Sequence, residues 1–166
     1  FWVNEWYVPR TAQWAHQFRT AHFKVEEMAL PAKPKTVTVQ KNLGCPEKCL
    51  FANETQIGQL LLNLVNNAFQ AMEETGGTLT LSTRRENGNV EFRVADNGPG
   101  IAPDILPKIF DPFFTTKEMG RGTGLGLAIA HRIVEEHAGS IRAESKLGEG
   151  TVFSVMLPTD LPETGS

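Results

Sequence analysis

The chain has 166 residues, 40% of them hydrophobic, and a formal net charge of -3 from 16 basic and 19 acidic side chains. That length supports one globular domain with a real core and leaves little for a second. The near balance of charge argues against nucleic acid as a partner.

The start at Phe1, with no initiator Met and no signal peptide, points to a piece of a longer protein. No apolar run approaches the roughly 20 residues that cross a bilayer, so no membrane contact by this segment is expected. A cytoplasmic location follows, with any membrane anchor upstream. Residues 1–35 open with Phe1, Trp2, Trp6, Tyr7 and Trp14 and close on Pro31-Ala32-Lys33-Pro34. They read as a linker or the remnant of an upstream region, with a helix somewhere in 10–28.

Thr36-Val37-Thr38-Val39-Gln40 alternates as a half-buried strand. Cys45 and Cys49 follow, without the two further ligands a metal site needs, and read as reduced thiols in a loop and strand start. Asn53 reads as a helix cap, and Ile57, Leu60, Leu61, Leu64, Val65, Ala68, Phe69 and Met72 recur at helical spacing until Gly76-Gly77 stops them. Residues 78–84 and 90–95 alternate as two strands, with Glu86-Asn87-Gly88-Asn89 as their turn. A stretch rich in glycine and proline runs from Asp96 to Gly126, and a second amphipathic helix covers roughly 124–138, closed by Gly139. Strands at 140–145 and 151–157 complete the chain, joined by Leu147-Gly148-Glu149-Gly150. This order predicts a two-layer α/β sandwich, a mixed sheet with helices on one face.

Four segments carry chemistry. On the first helix Asn63 and Asn67 are four apart and share a face, beside Asn66 and Gln70, and no charge occurs between Gln56 and Met72. Neutral carboxamides offer oxygen to a hard cation such as Mg²⁺ without adding negative charge beside phosphates, although a solvated polar stripe has the same residues. Asp96-Asn97-Gly98-Pro99-Gly100-Ile101 ends a strand. An aspartate there suits an exocyclic amine and the glycines admit a planar ring; an ordinary turn also fits. Gly120-Arg121-Gly122-Thr123-Gly124-Leu125-Gly126-Leu127 runs into a helix, whose N–H groups and dipole suit phosphate. It has neither the Gly-Lys-Ser/Thr of a Walker A loop nor the preceding strand of a dinucleotide fingerprint. Between these lies Ile109-Phe110-Asp111-Pro112-Phe113-Phe114-Thr115-Thr116-Lys117, whose aromatics suit anchors for a movable lid, with Lys117 reaching a phosphate. The lid is expected to span about Phe114 to Arg121.

Taken together the segments resemble the catalytic domain of sensor histidine kinases, in the superfamily that also holds DNA gyrase, mismatch-repair ATPases and a heat-shock chaperone. Asn63–Ala68 resembles the N box, Asp96–Gly100 the G1 box, Phe110–Phe114 the F box, Gly122–Gly126 the G2 box, and Gly148-Glu149-Gly150-Thr151 the last glycine motif. The likeness runs from about Val37 to Leu157. It implies a Bergerat-type ATP-binding fold over 36–158, with 159–166 a flexible tail, and ATP and Mg²⁺ as cofactors. Asn67 would ligate Mg²⁺ with Asn63 assisting, Asp96 would bond the adenine amine, and Thr151 would support Asp96. Gly98, Gly100 and Ile101 would admit the base, Gly122, Thr123, Gly124, Leu125 and Gly126 would face the phosphates, and Lys117 would contact them.

The ATPases of the superfamily carry a glutamate one helical turn before the metal-binding asparagine. Asn63 stands there, which takes no proton at neutral pH, so the implied activity is transfer of γ-phosphate rather than hydrolysis. The implied partners are the dimerisation and histidine phosphotransfer domain of the same kinase and a response regulator receiver domain. A hydrolytic ATPase or a nucleotide-binding pseudokinase of the same fold is the alternative. Ala15-His16-Gln17-Phe18-Arg19-Thr20 faintly resembles the acceptor motif, but Gln17 and Ala21 stand where Glu and Pro are expected, and residue 16 is too close in sequence to residue 63 for two long helices. His16 is therefore not expected to be the acceptor. Leu161-Pro162-Glu163-Thr164-Gly165 matches a sortase recognition sequence without the hydrophobic stretch that anchoring needs.

Overall fold

The computed structural model describes residues 19–21, 36–44, 50–116 and 122–159. Strand β1 (Arg19–Ala21) pairs antiparallel with β3 (Leu50–Ala52) in a two-stranded ribbon. The helix expected within 10–28 is therefore corrected at 19–21, where the backbone is extended and bonded to another strand. Cys45, Cys49, His16 and the segment 161–165 lie outside the described residues.

The main sheet holds β2 (Val37–Leu43), β4 (Gly77–Glu86), β5 (Asn89–Asp96), β6 (Ser140–Lys146) and β7 (Gly150–Pro158), in the order β2-β4-β5-β7-β6. Only β2 and β4 are parallel, because helix α1 (Glu54–Ala71) lies between them in sequence and a parallel pair needs such a crossover. The other neighbours are antiparallel. Between β4 and β5 the turn residues Asn87 and Gly88 have φ of 50° and 75°, the doubly left-handed form that matches strand twist in a two-residue hairpin.

Alternation decides which face is buried. Leu79 and Leu81 on β4, Val90, Phe92 and Val94 on β5, and Phe153, Val155 and Leu157 on β7 are all buried in one cluster with the helices. The opposite face presents Arg84, Arg93, Arg142 and Glu144 to solvent, and Arg84 pairs there with Glu91. Helix α1 starts where Asn53 accepts a hydrogen bond from the Gln56 N–H at 3.2 Å. It buries Ile57, Leu60, Leu61, Leu64, Val65, Ala68 and Phe69, the apolar stripe read from spacing. Helix α2 (Gly126–Glu136) stops because Ala138 turns left-handed at φ 53° and the Gly139 N–H bonds the Val134 carbonyl at 2.9 Å.

The two helices pack against each other and run antiparallel. The Asn53 N–H donates to His137 Nε2 (3.2 Å), whose Nδ1 meets the Ile133 carbonyl (2.8 Å), and Gln56 Nε2 donates to Glu136 (2.7 Å). These bonds tie the start of α1 to the end of α2, so the start of α2 falls beside the middle of α1. His137, the residue that ends α2, is buried. Thr159, placed by the sequence at the start of the tail, is also buried and bonds the Gly88 carbonyl through both its N–H and its hydroxyl.

Phe153 is fully buried and meets the ring of Phe110 edge-on at 6.3 Å, so it joins the sheet to the aromatic loop. Phe153→Ala should cost about 3–5 kcal/mol in urea unfolding. Phe113, 75% exposed with φ 67°, should by contrast tolerate Gly with no loss of stability, since glycine adopts that conformation without strain. A loss above about 1 kcal/mol for Phe113→Gly would show a packing role that its exposure does not suggest.

Candidate functional site

A cleft of about 660 Å³ opens between the middle of α1, the loop after β5, the segment before α2 and the start of β7. That volume is ordinary for a small-molecule site. Asn63 and Asn67 line it from α1, together with Asn66 and Gln70. Asp96, Gly100 and Ile101 line it from the loop, Gly122, Thr123, Gly124 and Gly126 from the glycine segment, and Thr151 from β7. Gly98 is buried behind this surface, where its Cβ would come within 3.0 Å of Asp96 Oδ1. Leu125 caps α2 without lining the cleft. Lys117 and Arg121 lie outside the described residues.

Asp96 reaches the cleft because it ends β5 on the core-facing side, one alternation beyond Val94. It is buried, which pushes its carboxyl above the usual aspartate range against the opposing pull of the N–H groups of Gly98 and Thr151. The Gly98 N–H donates to Oδ1 at 2.9 Å. Two donors thus hold the carboxylate while lone pairs remain for a ligand. Among the described residues it is the only charged side chain lining the cleft. Asn97 turns the other way and accepts the Thr78 N–H at 2.6 Å.

The loop after β5 is bolted to the β6–β7 hairpin. Gly148 N–H donates to the Pro99 carbonyl (2.8 Å) and Ile101 N–H donates to Ser145 Oγ (2.8 Å). Gly100, at φ 73°, lies so close to Lys146 that a Cβ would drive into that carbonyl oxygen. The backbone approach therefore requires glycine. Ser145 also contacts Gly150 and Thr151, a role that sequence reading missed because a serine on an alternating strand carries no local signal.

On the other wall, α2 begins without a side-chain cap, leaving its first N–H groups to the cleft rim, where Gly126 and Leu127 line it. A Cβ on Gly126 would sit 3.9 Å from Asn63 Oδ1, so the two helices meet at this point. Asn63 Nδ2 is buried with no hydrogen-bond partner, the only such side-chain atom among the described residues. An orphaned polar atom costs about 1–3 kcal/mol, and this one is on a cleft-lining side chain. Gly124, at φ 65°, backs onto Phe113, whose carbonyl carbon would be 2.5 Å from a Cβ there, and its carbonyl accepts the Phe113 N–H at 2.9 Å. This contact locks the aromatic loop to the glycine segment.

The aromatics divide the work unevenly. Phe110 and Phe114 pack on the core, and Phe110 lies 5.4 Å from the His131 ring, so these two are the anchors. Phe113 points to solvent instead, contrary to an anchoring role. Apolar walls that the sequence did not single out come from Ile105, Ile109, Leu127 and Leu147. Ile105 and Ile109 flank a short 3₁₀ turn at Leu106–Lys108, which has too few residues for periodicity to reveal.

No helix among the described residues is long and apolar enough to cross a membrane, and none of their His, Cys, Asp and Glu side chains cluster as metal ligands. Any cation held here would take oxygen from carboxamides and from its ligand.

Residues 52–161 match the family described as histidine kinase-, DNA gyrase B-, and HSP90-like ATPase. The chain is 43% identical over 123 residues to sensor kinase CckA of Brucella abortus, covering 65% of this chain and 13% of that protein. It is 43% identical over 110 residues to sensor histidine kinase ZraS of Escherichia coli, covering 66% and 23%. Its fold is similar to the catalytic domain of histidine kinase ThkA, with TM-score 0.65, 36% identity and coverage of 75% and 80%. Full-length ShkA, solved in complex with AMPPNP, has TM-score 0.65, 32% identity and coverage of 76% and 27%. The chain spans under a quarter of the length of these two curated relatives. It belongs to the histidine kinase-, DNA gyrase B-, and HSP90-like ATPase family, as a domain of the sensor histidine kinase type.

Proposed function

We propose that the cleft binds ATP with Mg²⁺, and that this domain donates the γ-phosphate to a histidine on the dimerisation domain of a sensor kinase for relay to a response regulator aspartate. Residues 36–158 form the ATP-binding catalytic unit in this reading. The observation that carries it is the chemistry of the α1 wall: four neutral carboxamides, with Asn63 where a hydrolase needs a proton acceptor. Asp96, the only carboxylate lining the cleft among the described residues, is held by two backbone N–H groups. Its remaining lone pairs suit an adenine amine.

The residues fit a bound Mg²⁺. Asn63 and Asn67 supply hard carboxamide oxygens, while the buried, unpartnered Nδ2 of Asn63 only donates and suits a phosphate oxygen beside the cation. When bound, Mg²⁺ neutralises triphosphate charge. Gly122, Thr123, Gly124 and the uncapped start of α2 place N–H donors at the opposite wall for the phosphates. Lys117 is proposed as a further phosphate contact. Positioning supplies most of the rate in phosphoryl transfer, and the bonds joining α1 to α2 hold the two walls at fixed separation.

Asn67→Asp should abolish Mg²⁺-dependent binding of a fluorescent ATP analogue, since a carboxylate repels the phosphates; wild-type affinity and metal dependence would remove Asn67 from the site. Asp96→Asn should weaken ATP binding by about one to two decades, the worth of one hydrogen bond to a charged group. The same change should leave the ligand-free domain at least as stable as wild type at pH 7. The sign follows from burial. A carboxyl raised above its ordinary value opposes folding when ionised, so wild type gains on the variant as pH falls through the folded-state value. A thermal melt series from pH 7 to pH 3 reads this, and a gap that widens in acid would contradict it.

The isolated domain should bind ATP yet hydrolyse it very slowly and not label itself. Added fragments bearing the dimerising helices should gain an acid-labile, base-stable phosphate, dependent on Asn67 and Gly124 and indifferent to His16→Gln. Rapid steady hydrolysis by the domain alone would favour an ATPase instead.

A further inference from the structure

Three strands bring one polar residue each to the floor of the cleft. Asp96 on β5 is paired with Thr151 on β7, and Thr151 is paired with Ser145 on β6. Asp96 and Thr151 line the cleft, and Ser145 stands behind them, partly buried.

The hydrogens of this row can be assigned by counting. Ser145 Oγ has one hydrogen and two lone pairs. The Gly150 carbonyl, 2.8 Å away, only accepts, so that contact takes the Ser145 hydrogen. The Ile101 N–H, also at 2.8 Å, only donates, and takes one lone pair. One lone pair is left for Thr151 Oγ1 at 2.8 Å, so in that contact the Thr151 hydroxyl is the donor. Its single hydrogen is thereby spent away from the cleft. What Thr151 retains is acceptor capacity, next to a carboxylate that also only accepts.

We propose that Ser145 is a specificity-determining positioning residue: by holding the Thr151 hydrogen it keeps the base end of the cleft acceptor-only, which selects an amino-purine nucleotide over an oxo-purine one. The proposal rests on the reading of Asp96 as the base contact. Ser145 itself touches no ligand in it. Without Ser145 the Thr151 hydroxyl is free to rotate and donate, and a carbonyl at the purine 6-position then finds a partner. The Ile101 N–H loses its acceptor at the same time, which loosens the loop for every nucleotide alike. Only the first effect changes selectivity.

The test compares Kd for ATP and for inosine triphosphate, which differ at the 6-position and in the hydrogen that inosine carries on N1, by calorimetry on the whole chain, with a thermal melt of each variant. Ser145→Ala should lower the ATP preference by about three- to tenfold, the range of one neutral hydrogen bond. Ser145→Thr, which keeps the hydroxyl, should restore it. Thr151→Val reads the same relay from its other end and should lower the preference even if Ser145→Ala folds poorly. Equal weakening of both nucleotides in Ser145→Ala and Thr151→Val would reduce Ser145 to a structural hub and overturn the proposal. Asp96→Asn separates the two levels. If it collapses the preference while the relay variants do not, the relay alone is wrong; if it leaves the preference intact, the base assignment fails and the proposal with it.

Discussion

The pairing of β5 with β7 sets Asp96 opposite Thr151, and most of the cleft depends on that register. Strand alternation sends Val90, Phe92 and Val94 into the core, so the next residue of the same parity must also face inward. At that position the helices no longer cover the sheet, and the inward side chain meets a cavity rather than a packed layer. An aspartate there is desolvated by the core behind it and bonded by the loop beside it. A slip of one residue would send Asp96 to the opposite face and turn Glu91, Arg93 and Ala95 into the apolar core instead, an exchange the core cannot absorb. The hydrophobic pattern therefore fixes the polar site.

The second wall is placed from a distance. Asn63 lies nearly three turns into α1, and what it faces is decided by where α2 starts. That start is determined at the far ends of both helices, by the bonds from Asn53 to His137 and from Gln56 to Glu136. His137 serves two acceptor and donor demands at once, which also ends α2 at a defined residue. Helix lengths then carry the register some 15 Å or so to the cleft at about 1.5 Å per residue.

Elements with long periodic patterns were legible in the sequence. Helix α1 and the β4–β5 and β6–β7 hairpins fall within a residue or two of their predicted bounds, because repeated burial at spacing 3.6 or 2 leaves a strong trace. The cleft-lining asparagines, Asp96 and glycines were legible as motifs. The contacts between elements were not. Ser145, the Asn53–His137 bond and the apolar wall of Ile105 and Ile109 depend on which strands and helices become neighbours, and no local pattern encodes that. The three-residue strand at Arg19–Ala21 was missed for the opposite reason, being too short to alternate visibly and defined wholly by its partner β3.

The electrostatics of the cleft explain why its asparagines matter as neutral groups. A nucleoside triphosphate brings several negative charges, and two charges 4 Å apart interact by about 4 kcal/mol in a partly screened setting. A carboxylate on the α1 wall would place that repulsion beside the phosphates, to be offset by a cation before any binding occurred. It would also supply the proton acceptor that water needs to attack. Asn63 removes the charge and the base together, and keeps a carboxamide able to meet a cation or a phosphate oxygen. Among the described residues the one carboxylate that remains lies on the sheet side, restrained by Gly98 and Thr151, where the proposed function has it read a base rather than move a proton. Under the proposed function a cleft so arranged would hold a reactive phosphate while giving water no help to reach it, which is what a domain that hands phosphate to another protein requires.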